Sequence, residues 1–185
     1  MSTERILVPL AEGFEEVEAI AIVDVLRRAE LEVVTAGLGG RKVTGSHGIT
    51  VEADLPLAEL DLAPFTAIVL PGGMPGTRNL VAEPRILELV RRLHGEGRTT
   101  AAICAAPLVL EAAGVLEGVA ITCHPAVREE LSARQPLSGE RIVESGSVVT
   151  SQGPGTALEF AVALVERLVG AQKASELTVA MRIER

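Results

Sequence analysis

Short apolar runs alternate with longer segments of helical periodicity along most of this 185-residue chain. The first run, Arg5 to Leu10, is almost wholly apolar, which is typical of a parallel strand buried on both faces. A helix is predicted over Glu15 to Ala29, and a second strand over Glu32 to Ala36. Because parallel strands need helical crossovers, the alternation predicts an α/β fold whose mostly parallel sheet is covered by helices on both faces.

The remaining segments continue this pattern. No linker, repeat or low-complexity stretch interrupts it, so residues 1–185 are predicted to form a single domain. The further predicted elements are strands over Thr66 to Leu70, Thr99 to Ile103 and Val119 to Cys123, helices over Pro84 to His94, Ala105 to Ala113, Ala126 to Ala133, Thr156 to Val169 and Ala171 to Met181, and hairpins over Val43 to Val51 and Arg141 to Ser151.

Bulk properties exclude several classes of function. A net charge of −8 without any Lys/Arg tract argues against a nucleic-acid partner. No apolar run approaches the roughly 20 residues that a bilayer span requires, so no membrane association is expected. The first residues enter a strand at once, which predicts no signal peptide, and two cysteines make no disulfide framework. These features favour a cytoplasmic protein.

In open parallel sheets, ligands bind beyond the carboxyl ends of the strands. In this chain those ends are followed by residues that can do chemistry. We therefore expect the functional site at this edge of the sheet, built from Glu12 to Glu18, Gly72 and Gly73, Cys104, and His124.

Cys104 lies between the strand ending at Ile103 and the helix starting at Ala105. A tight turn of the nucleophile-elbow kind would aim its sulfur at the N–H groups and positive dipole end of that helix. The sequence thus predicts a reactive cysteine with a lowered thiol pKa and a thiolate that persists below neutrality. The alternative is a buried, inert thiol, which is the prediction for Cys123.

Glu18 shares its helix face with Ile22 and Val25, at i+4 and i+7, so it is predicted to point inward. A buried carboxyl without a nearby cation has a raised pKa and stays protonated. It would donate a hydrogen bond to the Cys104 thiolate and then shuttle protons. The alternative is that Glu18 is an acid placed at the helix start because the helix dipole stabilises it there. This explanation suits Glu15 and Glu16 better.

Gly72 and Gly73 follow Pro71 at a strand end, where glycine lets the backbone approach a ligand closely. Gly72 and Gly73 are predicted to line the substrate site, and the N–H groups of Gly73 and Ala105 to form an oxyanion hole. A plain Pro-Gly turn is the alternative interpretation.

His124 precedes a proline at a strand end, so an extended loop is expected there. It is a candidate general acid or base, and a surface loop histidine is the alternative. His94 is predicted to be structural, whereas the role of His47 in its Gly-Ser-His-Gly turn stays open. No close-spaced ligand pair supports a metal site.

The segment Ser151 to Thr156 opens a helix and could bind an anion. It lacks the Lys-Ser/Thr pair of a nucleotide-binding P-loop. No dinucleotide fingerprint follows the first strand either, and no cofactor is predicted.

Taken together, five segments resemble signatures of the ThiJ/PfpI superfamily, and in particular its deglycase and glutathione-independent glyoxalase branch. The resemblance covers nearly the whole chain and implies a flavodoxin-like αβα sandwich and a homodimer. It also implies Cys104 as a nucleophile that is easily oxidised to the sulfinate, Glu18 as its acid partner and His124 nearby. The segments are LVPLAEGFEEVEAIAIVDVLRRA, VLPGGMPGTRNL, AAICAAPLVL, ITCHPAV and SQGPGTALEFAVALVE.

The chain departs from similar proteins at several positions. The protease-like branch of the superfamily has a histidine directly after the cysteine, and this chain has none after Cys104, so a peptidase function is disfavoured. Met74 replaces an asparagine common in the deglycase branch, and Gln152 replaces a common arginine. His47 stands where some relatives place an arginine near the dimer partner's site, so anion binding across a dimer is less expected here.

Two functions follow from these features. The first is a cofactor-free enzyme that converts methylglyoxal or glyoxal to lactate or glycolate through Cys104, with removal of early glycation adducts from proteins as a variant. Its partners would be small reactive aldehydes or glycated amino-acid adducts. The alternative is a redox-sensing stress protein or chaperone in which Cys104 is oxidised to the sulfinate.

Overall fold

A computed structural model describes residues 4–131 and 136–183 of the chain. In these ranges the strands are β1 (Arg5–Leu10), β2 (Glu32–Gly37), β3 (Lys42–Thr44), β4 (Thr50–Glu52), β5 (Leu55–Pro56), β6 (Ala67–Leu70), β7 (Thr100–Ile103), β8 (Ile142–Ser145) and β9 (Val148–Ser151). Seven of them form one sheet in the order β5-β2-β1-β6-β7-β9-β8. All neighbours are parallel except β8 and β9, and the strands β3 and β4 form a separate antiparallel hairpin.

The sheet is sandwiched between two layers of helices. The helices are α1 (Glu16–Arg28), α2 (Gly76–Val81), α3 (Pro84–Gly95), α4 (Pro107–Ala112), α5 (Ala157–Leu168) and α6 (Ala171–Ala180). The side chains of Ile6 and Val8 belong to the core under α1, α5 and α6, whereas Leu7 belongs to the core under α2, α3 and α4. This alternation confirms the predicted flavodoxin-like αβα sandwich with a mostly parallel sheet.

One predicted strand is wrong. Val119 to Cys123 forms no strand, because β9 occupies the sheet position beside β7. Within the predicted segment only Ile121 makes an isolated bridge, to Leu137, and the backbone N–H of Thr122 donates to the side chain of Thr150. The apolar character of this run reflects burial in the core, which periodicity alone does not separate from strand pairing.

The predicted helix over Ala126 to Ala133 is also incorrect. The segment begins with a single 3-10 turn over Pro125–Val127, and Ala133 lies outside the described residues. Helix α2 and the short strand β5 were not predicted. Helix α2 begins with glycine and is only six residues long, so its sequence has a weak helix propensity. The buried side chains of Thr77 and Leu80 pack it against the core.

Helix α1 has buried acids and exposed apolar side chains at its start. Glu15 and Glu16, which the sequence analysis assigned to the helix start, are both buried, whereas Val17 and Ile20 are 57% and 52% exposed. The acids turn inward because each accepts hydrogen bonds from backbone N–H groups, which the apolar side chains cannot do. Within the described residues, no helix has the length and apolar character needed to cross a membrane.

Candidate active site

Cys104 directly follows β7, on a tight turn that leads into α4. Its φ angle is +65°, a left-handed conformation that costs a non-glycine residue roughly 1–3 kcal/mol. Two backbone hydrogen bonds hold it there: Cys104 N–H donates to the carbonyl of Ser151 at 3.0 Å, and its carbonyl accepts from His124 N–H at 2.9 Å. The turn is therefore fixed by the segments on both of its sides, and the sulfur is half-buried.

Glu18 lies next to Cys104, as its helix face predicted, and is fully buried. Its Oε2 accepts a 2.7 Å hydrogen bond from the N–H of Gly72, whereas Oε1 has no hydrogen-bond partner among the described residues. A Cβ on Gly72 would lie 2.7 Å from the Cβ of Cys104 and 2.9 Å from Oε2 of Glu18. The cysteine and the carboxyl thus meet over a residue that has to be glycine, and Oε1 is the oxygen left for the thiol.

Both groups have a raised pKa, but their effects on each other are opposite: the Glu18 carboxylate raises the pKa of the Cys104 thiol, whereas the hydrogen bond from Cys104 lowers the pKa of Glu18. Burial, and then the charge of Glu15, raises the pKa of Glu18 to about 7, against the Gly72 hydrogen bond that favours the carboxylate. Burial, and then the Glu18 carboxylate, raises the pKa of the Cys104 thiol to about 12. The raised carboxyl pKa was predicted from the sequence.

The prediction of a lowered thiol pKa is wrong. The prediction was based on the N–H groups at the start of the helix, and the N–H groups of Ala105 and Gly73 do lower the thiol pKa. It did not include burial of the sulfur or the charge of Glu18, and these two effects outweigh the N–H groups. In the resting site the proton is therefore held on sulfur, and an ionised Glu18 is placed to remove it.

Gly73 and Ala105 supply the backbone donors beside the sulfur. The N–H groups of both hydrogen-bond to the cysteine side chain. Gly73 has φ +93°, and a Cβ there would come within 2.3 Å of the backbone nitrogen of Glu15, so no other residue fits. Gly72 differs from the sequence prediction, because its N–H is directed to Glu18 and its part in the site is to hold the carboxyl.

His124 stands on the other side of the cysteine turn, half-buried, in the extended conformation that was expected. Its Nδ1 accepts a 3.2 Å hydrogen bond from the N–H of Ala126. In the neutral ring the proton is therefore on Nε2, which makes this atom a hydrogen-bond donor.

Glu15 is a site residue that the sequence reasoning treated only as a helix-start acid. Its carboxylate caps α1 by accepting the N–H of Glu18 at 2.7 Å, and its own N–H donates to the carbonyl of Gly72. It thereby positions both partners of the buried pair. The signal was present in the sequence as an acid three residues before Glu18, which is the spacing of an N-cap.

His47 binds Glu16 rather than any residue of the cysteine site. Its N–H and Nδ1 lie 2.7 and 2.9 Å from the Glu16 carboxylate. Burial opposes ionisation of Glu16, but these hydrogen bonds outweigh it and lower the pKa to about 2, while they raise the pKa of His47. Potential ligand atoms of Glu15, Glu16 and His47 lie within 4.8 Å of one another. Hydrogen bonds account for this arrangement without a metal, because Glu16 binds His47 of the hairpin turn and Glu15 accepts the N–H of Glu18.

Glu18→Gln should stabilise the protein at alkaline pH. Because the folded-state pKa of Glu18 is raised above its ordinary value, the unfolded chain ionises first. The carboxyl therefore costs nothing below about pH 4.5, and costs about 3 kcal/mol once the pH exceeds about 7. Glutamine avoids this cost, so the free energy of unfolding of the variant relative to wild type should rise between pH 4.5 and 8.

The measurement is urea unfolding followed by circular dichroism at a fixed protein concentration, since the chain has no Trp or Tyr. Glu16→Gln is the matched control. Because the pKa of Glu16 is lowered, its carboxylate stabilises the folded state fully above about pH 4.5, so this variant should be destabilised by a constant amount between pH 4.5 and 8. A pH-independent difference between Glu18→Gln and wild type would contradict the buried, pH-dependent carboxyl.

Comparison with known proteins gives one consistent result. The model of the DJ-1/PfpI family matches residues 4–167. The chain is 38% identical to the Parkinson disease protein 7 homolog of Danio rerio, over 96% of each chain. It is also 38% identical to the glutathione-independent glyoxalase DJR-1.2 of Caenorhabditis elegans, over 93% of this chain and 91% of the relative.

Some relatives are longer than this chain, and one solved structure superposes over nearly its whole length. The chain spans only 41% of Protein DJ-1 homolog B and 45% of Protein DJ-1 homolog A of Arabidopsis thaliana, at 40% and 41% identity over 96% and 95% of its own length. The crystal structure of Drosophila melanogaster DJ-1beta superposes with a TM-score of 0.94 at 36% identity, over 99% of this chain and all of that one.

Proposed function

Because this chain belongs to the DJ-1/PfpI family, we propose that it is a glutathione-independent glyoxalase that uses Cys104 as its nucleophile. The observation that carries the proposal is the contact of Cys104 with the buried carboxyl of Glu18 over Gly72. That pair supplies a nucleophile and an acid–base group of pKa about 7 at one point, which is what this chemistry needs.

The first step is addition of the thiol to the aldehyde carbon of methylglyoxal. Glu18 takes the thiol proton as the S–C bond forms, and the N–H groups of Gly73 and Ala105 hold the oxygen that becomes negative. Glu18 then returns the thiol proton to that oxygen, which gives a hemithioacetal and leaves Glu18 ionised. Because Glu18 removes the proton during attack, the raised thiol pKa does not prevent the step.

The second step moves a hydrogen between neighbouring carbons. Glu18 removes the proton from the carbon bound to sulfur, and His124 Nε2–H hydrogen-bonds the adjacent carbonyl oxygen as the enediolate forms. Glu18 returns that proton to the second carbon, and the hydroxyl proton on the first carbon moves to the oxygen of the second. The product is a thioester, which water hydrolyses to lactate and free Cys104. Methylglyoxal and water thus give lactate with no external oxidant, reductant or thiol.

Glycated adducts are a variant of the same substrate class. A hemiaminal formed between a 2-oxoaldehyde and an amine would undergo the same attack by Cys104, with the amine as leaving group. The half-buried position of the sulfur, at an edge of the sheet, allows such larger substrates.

The redox-sensor function rests on the same cysteine but gains less support. Peroxide reacts with the thiolate, and both burial and the Glu18 charge disfavour that form here. Peroxide titration with mass spectrometry distinguishes the functions: a sensor would oxidise Cys104 at low excess while the buried Cys123 stays intact.

We also propose a homodimer. Val17 and Ile20 are exposed one turn apart on α1, and Ile49, 58% exposed, lies in the hairpin turn that Glu16 binds. Adjacent exposed apolar side chains of this kind are typical of a protein interface. Sedimentation of the wild type and of an Ile20→Glu variant would test this assembly.

The primary test of the enzyme is product formation. Incubation with methylglyoxal in the absence of glutathione should yield lactate, by proton NMR, far in excess of enzyme concentration. Loss of aldehyde limited to one equivalent per chain, without lactate, would contradict the proposal and indicate simple trapping by the thiol.

A further inference from the structure

An open surface cavity lies beside the segments that hold the cysteine turn. It has a volume of about 300 Å³ and is lined by His124, Pro125, Arg141 and residues 152–156. His124 and Ser151, the two residues whose backbones hydrogen-bond Cys104, stand at or beside its wall. The cavity therefore lies next to the backbone of the cysteine turn, a position that suits the distal part of a substrate held covalently on Cys104.

The cavity wall offers a hydrogen-bond acceptor. The Nε2–H of His124 is engaged by the carbonyl oxygen at the reacting centre, so His124 contributes only the face of its ring to this wall. The side-chain nitrogen of Gln152 donates to the carbonyl oxygens of Gly139 and Glu140, at 2.8 and 3.0 Å, which fixes the orientation of the amide. The remaining atom, Oε1 of Gln152, is an acceptor, so hydroxyl and amide groups match this wall.

The cavity is poorly suited to an anion. Its cation, Arg141, is held by both carboxylate oxygens of Glu159, at 2.9 and 2.7 Å, and by the carbonyl of Gly155. An anion would have to compete with that ion pair. Two N–H groups of the loop are also engaged within it, because that of Gly153 donates to Thr156 Oγ1 and that of Thr156 to the carbonyl of Gly153, and Pro154 has none.

We propose that this cavity receives an uncharged, hydrogen-bonding tail of a 2-oxoaldehyde longer than methylglyoxal. The inference rests on the proposed function, since the tail is placed by attachment of the aldehyde carbon to Cys104. The tail would be a hydroxylated chain or an amide, in contact with His124 and Gln152. The substrate class is thus extended to sugar-like or peptide-linked 2-oxoaldehydes, with carboxylate-bearing analogues disfavoured.

The test compares two probes of equal size, 4-carbamoylphenylglyoxal and 4-carboxyphenylglyoxal, with methylglyoxal as reference. Ratios of kcat/KM between wild type and variants cancel the intrinsic reactivity of each probe. Gln152→Arg adds a cation to the wall. It should increase kcat/KM for the carboxyl probe relative to the carbamoyl probe at least about tenfold, which is the effect of one good charge-assisted hydrogen bond. An unchanged ratio would overturn the proposal.

Gly155→Leu tests the cavity itself. A Cβ at Gly155 meets no atom within 4 Å, so the side chain extends into open space at the cavity wall without a clash. Gly95, which is outside the cavity and equally open, gives the matched control Gly95→Leu. In Gly155→Leu, kcat/KM for the carbamoyl probe should fall at least about fivefold more than kcat/KM for methylglyoxal. In the control variant, the values for the two substrates should change by the same factor. Equal losses in both variants would contradict the tail site.

A binding measurement distinguishes failure of the enzyme proposal from failure of the cavity proposal. If no aldehyde is turned over by the wild type, benzamide and benzoate are titrated into the Cys104→Ala variant and followed by saturation-transfer NMR. Preferential benzamide binding that Gly155→Leu abolishes supports the cavity as a site for uncharged polar groups. Equal binding of the two probes, or binding of neither, overturns it.

Discussion

Replacing Cys104 with alanine is expected to abolish lactate formation from methylglyoxal, lowering kcat/KM at least about 1,000-fold. The effect is large because both proposed intermediates, the hemithioacetal and the thioester, are bonds to this sulfur. The methyl group of alanine leaves the strained turn in place, since that turn is held by backbone hydrogen bonds to Ser151 and His124. Lactate is measured by NMR, and folding by circular dichroism.

The matched control is Cys123→Ala. Cys123 is 1% exposed in the core and also carries a raised thiol pKa, so it shares the chemistry but not the position of Cys104. Its replacement should leave turnover within a fewfold of wild type. Retained lactate production in Cys104→Ala, or equal losses in the two variants, would contradict Cys104 as the nucleophile.

The fold was predictable where a buried strand is followed by a helix. The runs that became β1, β2, β6 and β7 are apolar on both faces, and the helices between them have clear periodicity. The prediction failed at Val119 to Cys123, where apolar character reflects core burial and not sheet pairing. Which strand lies beside β7 depends on β9, far along the chain, and no local pattern contains that information.

The site was predictable in its membership but not in its electrostatics. The helix face of Glu18 and the strand ends at Gly73 and Cys104 follow from periodicity and from the geometry of parallel sheets. The thiol pKa depends on how deeply the sulfur is buried and how closely a carboxylate approaches it, and these are distances across the fold. The sequence showed the donors around Cys104 but not the charge facing it, so the direction of the shift was predicted wrongly.

Glu18→Gln is expected to reduce lactate turnover at least about 100-fold, the usual contribution of a positioned acid–base group. Glutamine is isosteric and its oxygen can still accept the Gly72 N–H, but it neither takes the thiol proton nor moves one between carbons. In the wild type, kcat/KM should rise with pH through about 7 as Glu18 ionises, and this limb should be missing from the residual activity of the variant. A pH profile unchanged by the substitution would contradict Glu18 as the base.

The same variant separates activation of the thiol from transfer of the proton. Because the Glu18 carboxylate raises the pKa of Cys104, its removal should lower the thiol pKa, which the ultraviolet absorbance of the thiolate reports directly. Glu18→Gln should therefore have a more readily ionised cysteine and yet a slower enzyme. If thiolate formation limited the reaction, the variant would be faster than wild type. The expected opposite result would mean that the buried carboxyl serves catalysis by moving protons, at the cost of a more basic nucleophile.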